Sequence, residues 1–310
     1  MAATIADNPA WADATPMVSV LVPFLRDDPS ALLAALDREG ASLAGAVEVV
    51  VLDDGTGDTA LTKRLMALAG GLTLPVRLES LAANVGRAKG RNRLASQARG
   101  RWLLFMDSDM LPDRPDFLAA YLAVINEQSP AVAFGGFSLQ QAPLRREHAL
   151  HRRMALASDC APLALRRAMP EKYVYTSNLL VRRDVFETIG FDEGFDGWGW
   201  EDVEWAMRVQ ASHPILHIDN TATHLGLDPA PAMAAKYEQS AGNFARVVAA
   251  HLETVSRYPS YRVAKLLKRA PMRGAWRPAL KALALMEHAP LALRALAMRL
   301  YRAALYAEAV

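Results

Sequence analysis

The stretch RWLLFMDSDMLPD, residues 101–113, decides how the rest of the sequence is interpreted. Residues 102–106 form an unbroken apolar run, which is typical of a strand buried on both faces of a parallel sheet. The run stops before Asp107 and Asp109, and Pro112 excludes a continuing central strand. Ligands of open α/β sheets bind at the carboxyl ends of strands, so these two carboxylates are predicted to lie at a binding edge.

Two carboxylates separated by one residue repel each other unless a positive charge lies between them. Mg²⁺ or Mn²⁺ would suit such a site, because both ions prefer oxygen ligands and can hold phosphates at their remaining positions. The alternative is an Asp-rich turn whose side chains cap the following helix, a position that Asp and Ser favour. The D-x-D pattern alone fits both interpretations.

Strands and helices alternate through about residue 140. A spacing of about 25 to 30 residues between strands is typical of βαβ units. It predicts an α/β fold with a mainly parallel sheet and helices on both faces. The predicted strands are residues 17–25, 47–52, 75–80, 102–106, 131–139 and 173–181.

Acidic residues follow three of these strands. They are Asp27, the pair Asp53 and Asp54, and the pair Asp107 and Asp109. Parallel strands place their carboxyl ends at one edge of the sheet, so these acids are predicted to converge. A phosphate-binding G-x-G-x-x-G or G-x-x-x-x-G-K-S/T motif is missing from the sequence, which disfavours dinucleotide-dependent dehydrogenases and P-loop enzymes.

The composition disfavours further classes. A net charge of +2, with 22% charged residues, does not suggest a nucleic-acid binder. The single cysteine, Cys160, cannot form an internal disulfide, which fits a reducing cytosolic compartment. Residues 1–16 lack the basic and apolar regions of a signal peptide and are predicted to form a loose arm. No stretch is long and charge-free enough to span a bilayer, although the hydrophobic content of 52% is high.

The second informative stretch is GFDEGFDGWGWEDVEWAMRVQ, residues 190–210. Its glycines leave the backbone free to bend, Trp198 and Trp200 supply flat faces, and Glu201 and Asp202 open a helix. Aromatic faces beside carboxylates are well suited to binding a sugar ring. Acidic residues in a first turn are also favoured by the helix dipole alone. The preceding residues 141–172 are strongly basic, which predicts either solvated helix faces or a lid over an anionic ligand.

The chain resembles inverting glycosyltransferases of family 2 with the GT-A fold, over about residues 17–228. The block LLFMDSDMLP is most similar to the chondroitin polymerase and galactosyltransferase-like branch of that family. The resemblance implies a Rossmann-like, mainly parallel sheet with flanking helices. The matching blocks, in order, are VSVLVPFLRD, VVVLDDGTGD, NVGRAKGRN, LLFMDSDMLP and SNLLVRRDVFETIGFDEGFDGWGWEDVEWAMRV.

The resemblance implies a nucleotide site. Pro23 and Asp54 would line a uracil pocket, with Asp53 beside them. Arg91 would lie near the donor's phosphates, in a loop shaped by Asn84. The expected donor is therefore a nucleotide-diphosphate sugar, specifically a UDP-sugar.

The resemblance also implies a site for Mn²⁺ or Mg²⁺. Asp107 would face the ribose and a metal-bound water, and Asp109 would bind the ion directly. His224 matches a histidine that completes the metal site in related enzymes, and His217 is the weaker candidate. The segments ILHID and TATHLGL, which carry these histidines, are predicted to form a hairpin-like pair of strands.

On the acceptor side, Asp202 matches the catalytic base of an E-D pair. Glu201 would lie nearer the acceptor, which Trp198 and Trp200 would also contact. An inverting reaction needs a base that takes the proton of the attacking hydroxyl. Retaining relatives often have Asn at the second position of the pair, so Asp202 favours inversion.

Beyond about residue 232 the resemblance ends and the pattern is helical. Residues 261–310 carry ten basic residues and two acidic ones. In the last helix, Arg294, Arg299 and Arg302 fall on one side, opposite Leu, Ala, Met and Tyr. This pattern predicts an interfacial membrane anchor, or alternatively a helical cap on the catalytic domain or on a dimer partner.

Three regions are therefore expected. They are a loose arm (1–16), a GT-A domain (17–232) with a nucleotide-binding half (17–140) and an acceptor half (141–232), and a basic helical C-terminal region (233–310). A membrane contact through the C-terminal helices would place the protein in the cytoplasm, on the inner face of the membrane, with a lipid-linked acceptor.

The sequence thus predicts a metal-dependent inverting hexosyltransferase that acts on a glycan or lipid-linked acceptor in polysaccharide or glycoconjugate synthesis. No nucleic-acid partner is expected. A nucleotidyltransferase is the rival enzyme class, since it combines a related sheet with a metal and carboxylates. A catalytically inactive sugar-nucleotide-binding scaffold is the non-enzymatic alternative.

Overall fold

The computed structural model describes residues 3–40, 42–43 and 45–310, with residues 273 and 274 described by their backbone only. The strands are β1 (Ala3–Asp7), β2 (Val18–Phe24), β3 (Val47–Asp53), β4 (Val76–Leu81), β5 (Trp102–Phe105), β6 (Met110–Pro112), β7 (Val132–Phe134), β8 (Phe137–Ser138), β9 (Leu179–Arg182), β10 (Ile215–His217) and β11 (Ala222–His224). The helices are α1 (Ser30–Gly40), α2 (Thr59–Gly70), α3 (Arg87–Gln97), α4 (Phe117–Gln128), α5 (Ala149–Ala157), α6 (Leu163–Ala168), α7 (Arg183–Thr188), α8 (Glu201–Gln210), α9 (Ala230–Val255), α10 (Pro259–Lys268), α11 (Arg273–Leu285) and α12 (Leu291–Tyr306).

Eight strands form the main sheet in the order β1-β4-β3-β2-β5-β9-β7-β10. Six of them run in the same direction, whereas β1 and β9 run antiparallel to their neighbours. The predicted mainly parallel α/β sheet is confirmed. A small second sheet, β6-β11-β8, lies beside it.

The central strands are where the apolar runs predict them, because both faces of the sheet are covered. All seven residues of β3 are buried, and in β2 only Pro23 is partly exposed. Val20 faces a core that includes Leu32 and Leu36 of α1, while Leu21 faces a second core formed with α3 and α8. The two faces thus alternate along each strand, as the period of two requires.

The N-terminal segment is not the loose arm that its composition predicted. β1 pairs antiparallel with β4 as the edge strand of the main sheet. Trp11 is buried, with the Arg99 guanidinium 3.8 Å above its ring, and Asn8 bonds the backbone of Leu74. Ala, Asp and Pro are common in loops, but this segment is held by pairing with β4 and by tertiary contacts. Residues 1 and 2, also part of the predicted arm, lie outside the described residues.

Short strands depart most from the prediction. The predicted strand 131–139 is divided into β7 and β8 at Gly136, whose φ of +110° turns the chain. Residues 174–178 form a buried loop before β9 rather than the first half of a strand. The predicted hairpin does not form, because β10 pairs with β7 in the main sheet and β11 joins the small sheet.

The C-terminal helices fold back onto the chain. α12 packs against α5, α9, α10 and α11 and buries Ala297, Met298, Tyr301 and Tyr306. The guanidinium of Arg302 lies 5.1 Å from the centre of the Tyr237 ring, so the three arginines of α12 do not share one exposed face. The predicted amphipathic face is therefore occupied by packing, as in the helical-cap alternative. Within the described residues, no helix has both the length and the apolar character of a membrane span.

Candidate active site

The carboxyl ends of β2, β3 and β5 lie side by side at one edge of the main sheet. Burial, together with the negative charges of Asp109 and Asp107, raises the pKa of Asp27, so these three acids are close neighbours. The convergence expected from the strand ends is therefore present for them. Asp53 and Asp54 turn instead toward the adjacent loop.

Asp54 fixes the loop that precedes α3. Its carboxylate accepts hydrogen bonds from the Val85 N–H (2.8 Å) and from the Asn84 side chain (3.0 Å). Asp53 accepts from the Thr56 N–H (2.8 Å) and shapes its own turn. Both acids are buried, and burial raises the pKa of Asp54. The structure brings Asp53, Asp54 and Asn84 together, and their role in binding a nucleotide stays a prediction.

Pro23 and Arg26 lie at the exit of β2. Pro23 is two residues beyond the last residue of β2 that pairs with β5, so its missing N–H breaks no bond of that ladder. Arg26 has a left-handed φ of +67°, and its N–H donates to Thr56 Oγ1 (2.9 Å). This bond joins the ends of β2 and β3 beside the Asp54 loop.

Asp109 and His224 face each other across the small sheet. Asp109 Oδ2 lies 3.1 Å from His224 Nε2; Asp109 immediately precedes β6, and His224 is the last residue of β11, which pairs with β6. Burial lowers the pKa of His224, but the bond and charge of Asp109 outweigh burial and raise it. Gly226 permits this approach, because a Cβ at that position would overlap the Asp109 carboxylate.

The expected metal set is only partly assembled. Asp109 and His224 are 3.1 Å apart and hydrogen-bonded to each other, and they would be two of the residues that hold a Mg²⁺ or Mn²⁺ ion. Asp107 is turned away, with its Oδ1 2.7 Å from Arg91. Among the described residues, no three His, Cys, Asp or Glu side chains are grouped so that they could already hold a metal ion. The two carboxylates suit such an ion, provided that Asp107 exchanges Arg91 for it.

His217 has a different role. It is buried, its Nε2 donates to the Pro170 carbonyl (3.0 Å), and burial lowers its pKa to about 4. It is therefore a neutral structural histidine.

Arg91 connects the D-x-D pair to the E-D pair. Its guanidinium is 2% exposed and bonds both Asp107 (2.7 Å) and Glu201 (3.4 Å), whereas its Nε has no hydrogen-bond partner among the described residues. Burial raises the pKa of Asp107, but the charges of Arg91 and Arg87 outweigh it and lower that pKa. A permanently charged, buried guanidinium with an unused donor is well suited to binding an anion.

Glu201 and Asp202 have opposite environments. Glu201 accepts a bond from Arg87 Nε (2.6 Å), and the charges of Arg87 and Arg91 outweigh burial and lower its pKa. Asp202 Oδ2 accepts from the N–H of Thr176 (3.1 Å), while Asp202 Oδ1 is buried without a hydrogen-bond partner among the described residues. Burial and the charge of Glu201 raise the pKa of Asp202 to about 7. The pair thus contains one firmly ionised carboxylate and one that titrates near neutrality.

The two tryptophans that precede α8, Trp198 and Trp200, have different packing partners. Trp198 is partly buried beside Tyr237, with ring centres 6.0 Å apart. Trp200 packs against Phe244 (4.9 Å), and its Nε1 donates to the hydroxyl of Tyr306 in α12 (2.9 Å). Both tryptophans are partly exposed and contact the C-terminal helices, and their role in acceptor binding stays a prediction.

Sequence motifs missed several residues at this edge. Lys236 of α9 bonds Asp228 (2.6 Å), and its charge lowers the pKa of Asp27, so it lies near the carboxylate edge. His151 Nδ1 accepts from the Asp228 N–H (2.7 Å), and its ring centre is 6.0 Å from that of His224. No local pattern marks these residues, since α5 and α9 approach the site only through tertiary packing.

The basic segment 141–172 supports the fold around this edge. Arg166 is 2% exposed and donates to the carbonyls of Ala161 (3.1 Å) and Ile218 (3.1 Å). Arg152 donates to the carbonyl of Leu139 (3.3 Å). These arginines tie loops together and are not solvated on a helix face.

Comparison with known proteins identifies relatives of the chain among glycosyltransferases. The sequence model of glycosyl transferase family 2 matches residues 19–190. A validoxylamine A glucosyltransferase from Streptomyces hygroscopicus subsp. limoneus is 30% identical in an alignment of 241 positions that covers 67% of this chain and 51% of that protein. A second, from subsp. jinggangensis, is 29% identical over 63% of this chain and 52% of its own length. The chain therefore spans about half the length of the curated relatives it matches.

Solved structures agree in fold. The mannosyltransferase PcManGT from Pyrobaculum calidifontis, in complex with GDP-Man and Mn²⁺, has a TM-score of 0.55 at 17% identity, covering 96% of this chain and 88% of that chain. TarS 1-349 of S. aureus has a TM-score of 0.52 at 18% identity, covering 92% and 89%. The α/β fold is thus shared with GT-A glycosyltransferases. With the family model matching more than half of its length, the chain belongs to glycosyl transferase family 2.

Proposed function

We propose that the protein is a metal-dependent, inverting glycosyltransferase that moves a hexose from a UDP-sugar to a hydroxyl of a glycan or lipid-linked acceptor. The observation that carries this proposal is Asp202, whose Oδ1 is buried, lacks a partner among the described residues and belongs to a carboxyl with a raised pKa. A buried acceptor of this kind is suited to an incoming hydroxyl.

The residues divide the reaction between them. Asp202 takes the proton of the acceptor hydroxyl as the oxygen attacks the anomeric carbon, on the face opposite the leaving nucleotide. Glu201 stays ionised beside it, because Arg87 and Arg91 hold its charge, and orients the acceptor. No covalent nucleophile is required, and a single displacement inverts the anomeric centre.

The negative charge of the donor diphosphate would be neutralised by Arg91 and a divalent ion, on the side of the site opposite the acceptor. The Arg91 guanidinium, now bonded to Asp107, is placed to bind the diphosphate through its unused Nε. A divalent ion held by Asp107, Asp109 and His224 would neutralise the charge that develops on the leaving diphosphate. This arrangement requires the donor and the ion to draw Arg91 and Asp107 apart.

The choice of UDP rests on the D-D-G-T turn and the Asp54 loop. The solved neighbours carry different nucleotides: PcManGT is in complex with GDP-Man and TarS 1-349 with UDP-GlcNAc. The D-x-D block keeps its likeness to the chondroitin polymerase and galactosyltransferase-like branch as part of this proposal, and that branch favours a UDP-hexose.

Calorimetric titration of UDP, GDP and ATP, each with Mn²⁺ and again with EDTA, tests the proposal. We expect UDP alone to bind tightly and the binding to be lost in EDTA. A preference for GDP would keep the transferase and change the donor. Binding of ATP, with release of pyrophosphate once a sugar phosphate is added, would favour a nucleotidyltransferase, and the absence of all binding would favour an inactive scaffold.

We also propose a peripheral contact with the inner face of the membrane, through α10 rather than α12. Leu266 and Met272 are 69% and 77% exposed, and Lys265, Lys268 and Arg269 are exposed beside them. Apolar side chains flanked by basic ones suit an anionic bilayer surface. A lipid-linked acceptor would be consistent with this position.

A further inference from the structure

The turn before the E-D pair is strained. Gly197 and Gly199 have φ values of +69° and +91°, and Trp200, which immediately precedes α8, has a φ of +76°. Glycine adopts this region readily, but a bulky residue such as tryptophan rarely does. Such a conformation persists only where the surrounding structure over-determines it.

Two C-terminal helices supply that restraint. Asn243 of α9 donates through its side-chain nitrogen to the carbonyls of Asp196 (2.8 Å) and Gly199 (2.9 Å). The hydroxyl of Tyr306 accepts from Trp200 Nε1 (2.9 Å) and lies 2.8 Å from Ser240 Oγ. The turn is thus held by hydrogen bonds at its backbone and at its last side chain, the indole of Trp200.

The Tyr306 hydroxyl has a defined direction in this chain of bonds. Ser240 Oγ donates to the Tyr237 carbonyl (2.9 Å), so it is left to accept the proton of Tyr306, which in turn accepts from Trp200. The Tyr306 ring stacks on Phe244, with centres 4.2 Å apart and planes 21° apart. The ring is therefore held by stacking, and the hydroxyl is left to orient Trp200.

We propose that Tyr306 is a positioning residue for the acceptor-side carboxylates. Trp200 is the residue from which α8 starts, so its orientation sets the first turn of that helix, where Glu201 and Asp202 lie. By holding the indole, the Tyr306 hydroxyl fixes the direction of Asp202 Oδ1. The last helix of the chain, more than 100 residues away in sequence, thereby becomes part of the acceptor site.

This inference rests on the proposed function for its kinetic test, and a matched pair of variants isolates it. Tyr306→Phe removes the hydroxyl and keeps the ring stacked on Phe244. Tyr301→Phe is the control: it is on the same helix, is similarly buried (4% against 2%), and donates to Glu238 away from the turn. Trp200→Phe removes the other partner of the same bond.

We expect Tyr306→Phe to lower kcat by about threefold to tenfold, the range that the loss of one hydrogen bond gives. The KM for the donor should stay unchanged, because among the described residues none of the predicted donor residues hydrogen-bonds Trp200 or Tyr306. Trp200→Phe should lower kcat similarly, and combining it with Tyr306→Phe should add little further loss. Tyr301→Phe should leave kcat unchanged while destabilising the fold by a comparable amount.

Amide hydrogen exchange of residues 197–203 gives a readout that does not depend on turnover. It should be faster in Tyr306→Phe than in the wild type and unchanged in Tyr301→Phe. Equal exchange and equal kcat in the two tyrosine variants would overturn the positioning role. If the wild type transfers no sugar, the proposed function fails, and the exchange comparison alone still decides whether Tyr306 holds the turn.

Discussion

Asp202 and Glu201 are adjacent buried carboxylates, and their surroundings shift their pKa values in opposite directions. Two arginines lower the pKa of Glu201, whereas burial and the neighbouring charge raise the pKa of Asp202. Pairs separated in this way divide acid–base work between them. The unbonded Oδ1 of Asp202 is the reason why we propose this residue, and not Glu201, as the base for the acceptor hydroxyl.

Asp202→Asn should abolish transfer and keep donor binding. The amide preserves the shape but cannot take a proton, so we expect kcat to fall by about 100-fold to 10,000-fold. UDP affinity, measured by calorimetry with Mn²⁺, should be within error of the wild type. Asp219→Asn, at an exposed position between β10 and β11, serves as the control and should remain active. Full activity in Asp202→Asn would remove this residue from the base role.

The pH dependence follows from the raised pKa of Asp202. Only the deprotonated carboxylate can act as a base, so kcat/KM should rise with pH up to about 7 and level off above it. The pKa of His224 is shifted as well, but the charges that shift it are those of Asp109, Asp107 and Lys236, so a change of Arg87 distinguishes the two groups. Arg87→Met removes a charge that lowers the pKa of Asp202 and should move the midpoint upward. A midpoint that does not move would assign the titration to another group.

At the scale of elements, the loop after β11 contains one close approach, between Gly226 and the Asp109 carboxylate. Gly226 leaves room for the Asp109 carboxylate beside His224, and any Cβ there would overlap it. The D-x-D pair is thus positioned from two directions: by the strand that precedes it and by a glycine more than 100 residues later.

Gly226→Ala should therefore displace Asp109 and weaken metal-dependent UDP binding by about tenfold or more, the equivalent of roughly 1.4 kcal/mol. Gly242→Ala is the matched control, since a Cβ on that residue of α9 meets nothing within 4 Å. It should bind UDP normally and be slightly more stable, because alanine is the better helix former. Equal UDP affinity in both variants, titrated with Mn²⁺, would show that Asp109 does not depend on Gly226.

The edge strand β1 gives a prediction about stability. Trp11 is 6% exposed and lies between the guanidinium groups of Arg99 (3.8 Å) and Arg77 (4.6 Å). Trp11→Ala should lower the free energy of unfolding by about 3 kcal/mol, in the range for large-to-small changes at buried aromatic positions. Urea unfolding measures this loss, and Ile5→Ala, at a 48% exposed position of β1, should cost much less. If Trp11→Ala lowers the free energy of unfolding less than Ile5→Ala does, the N-terminal segment is a loose arm, as its composition predicted.

The elements that could be predicted from sequence are those with a strong local signal. β2, β3 and β5 are continuous buried runs, and the D-S-D and E-D pairs lie inside recognisable blocks. β8 and β11 have two and three residues, too few for any periodicity to show, so their pairing depends on tertiary context. The Trp200–Tyr306 bond joins residues 106 positions apart, and no local pattern contains it. The site's acids were thus predictable, and the residues that orient them were not.

At the scale of the whole molecule, the C-terminal helices fold back onto the part of the chain that contains the E-D pair. α12 packs on α5 and α9, and Tyr306 reaches the turn before α8. Removing residues 261–310 would therefore expose a core and remove the bond from Tyr306 to the turn before α8, so truncation cannot test a membrane contact. Substitutions confined to exposed side chains can.

Charge and apolar exposure on α10 should decide the membrane contact. Leu266→Gln with Lys265→Glu and Arg269→Glu reverses two exposed charges and removes one exposed leucine. Each basic residue near an anionic surface contributes about 1 kcal/mol, so binding to vesicles containing phosphatidylserine should fall by more than about tenfold. Leu252→Gln, at a 51% exposed leucine beside Glu253, is the control and should bind like the wild type. Flotation with neutral vesicles and at high salt should weaken wild-type binding as well, since the attraction is electrostatic. If the triple variant floats as the wild type does, α10 is not the contact, and the acceptor need not be at a membrane.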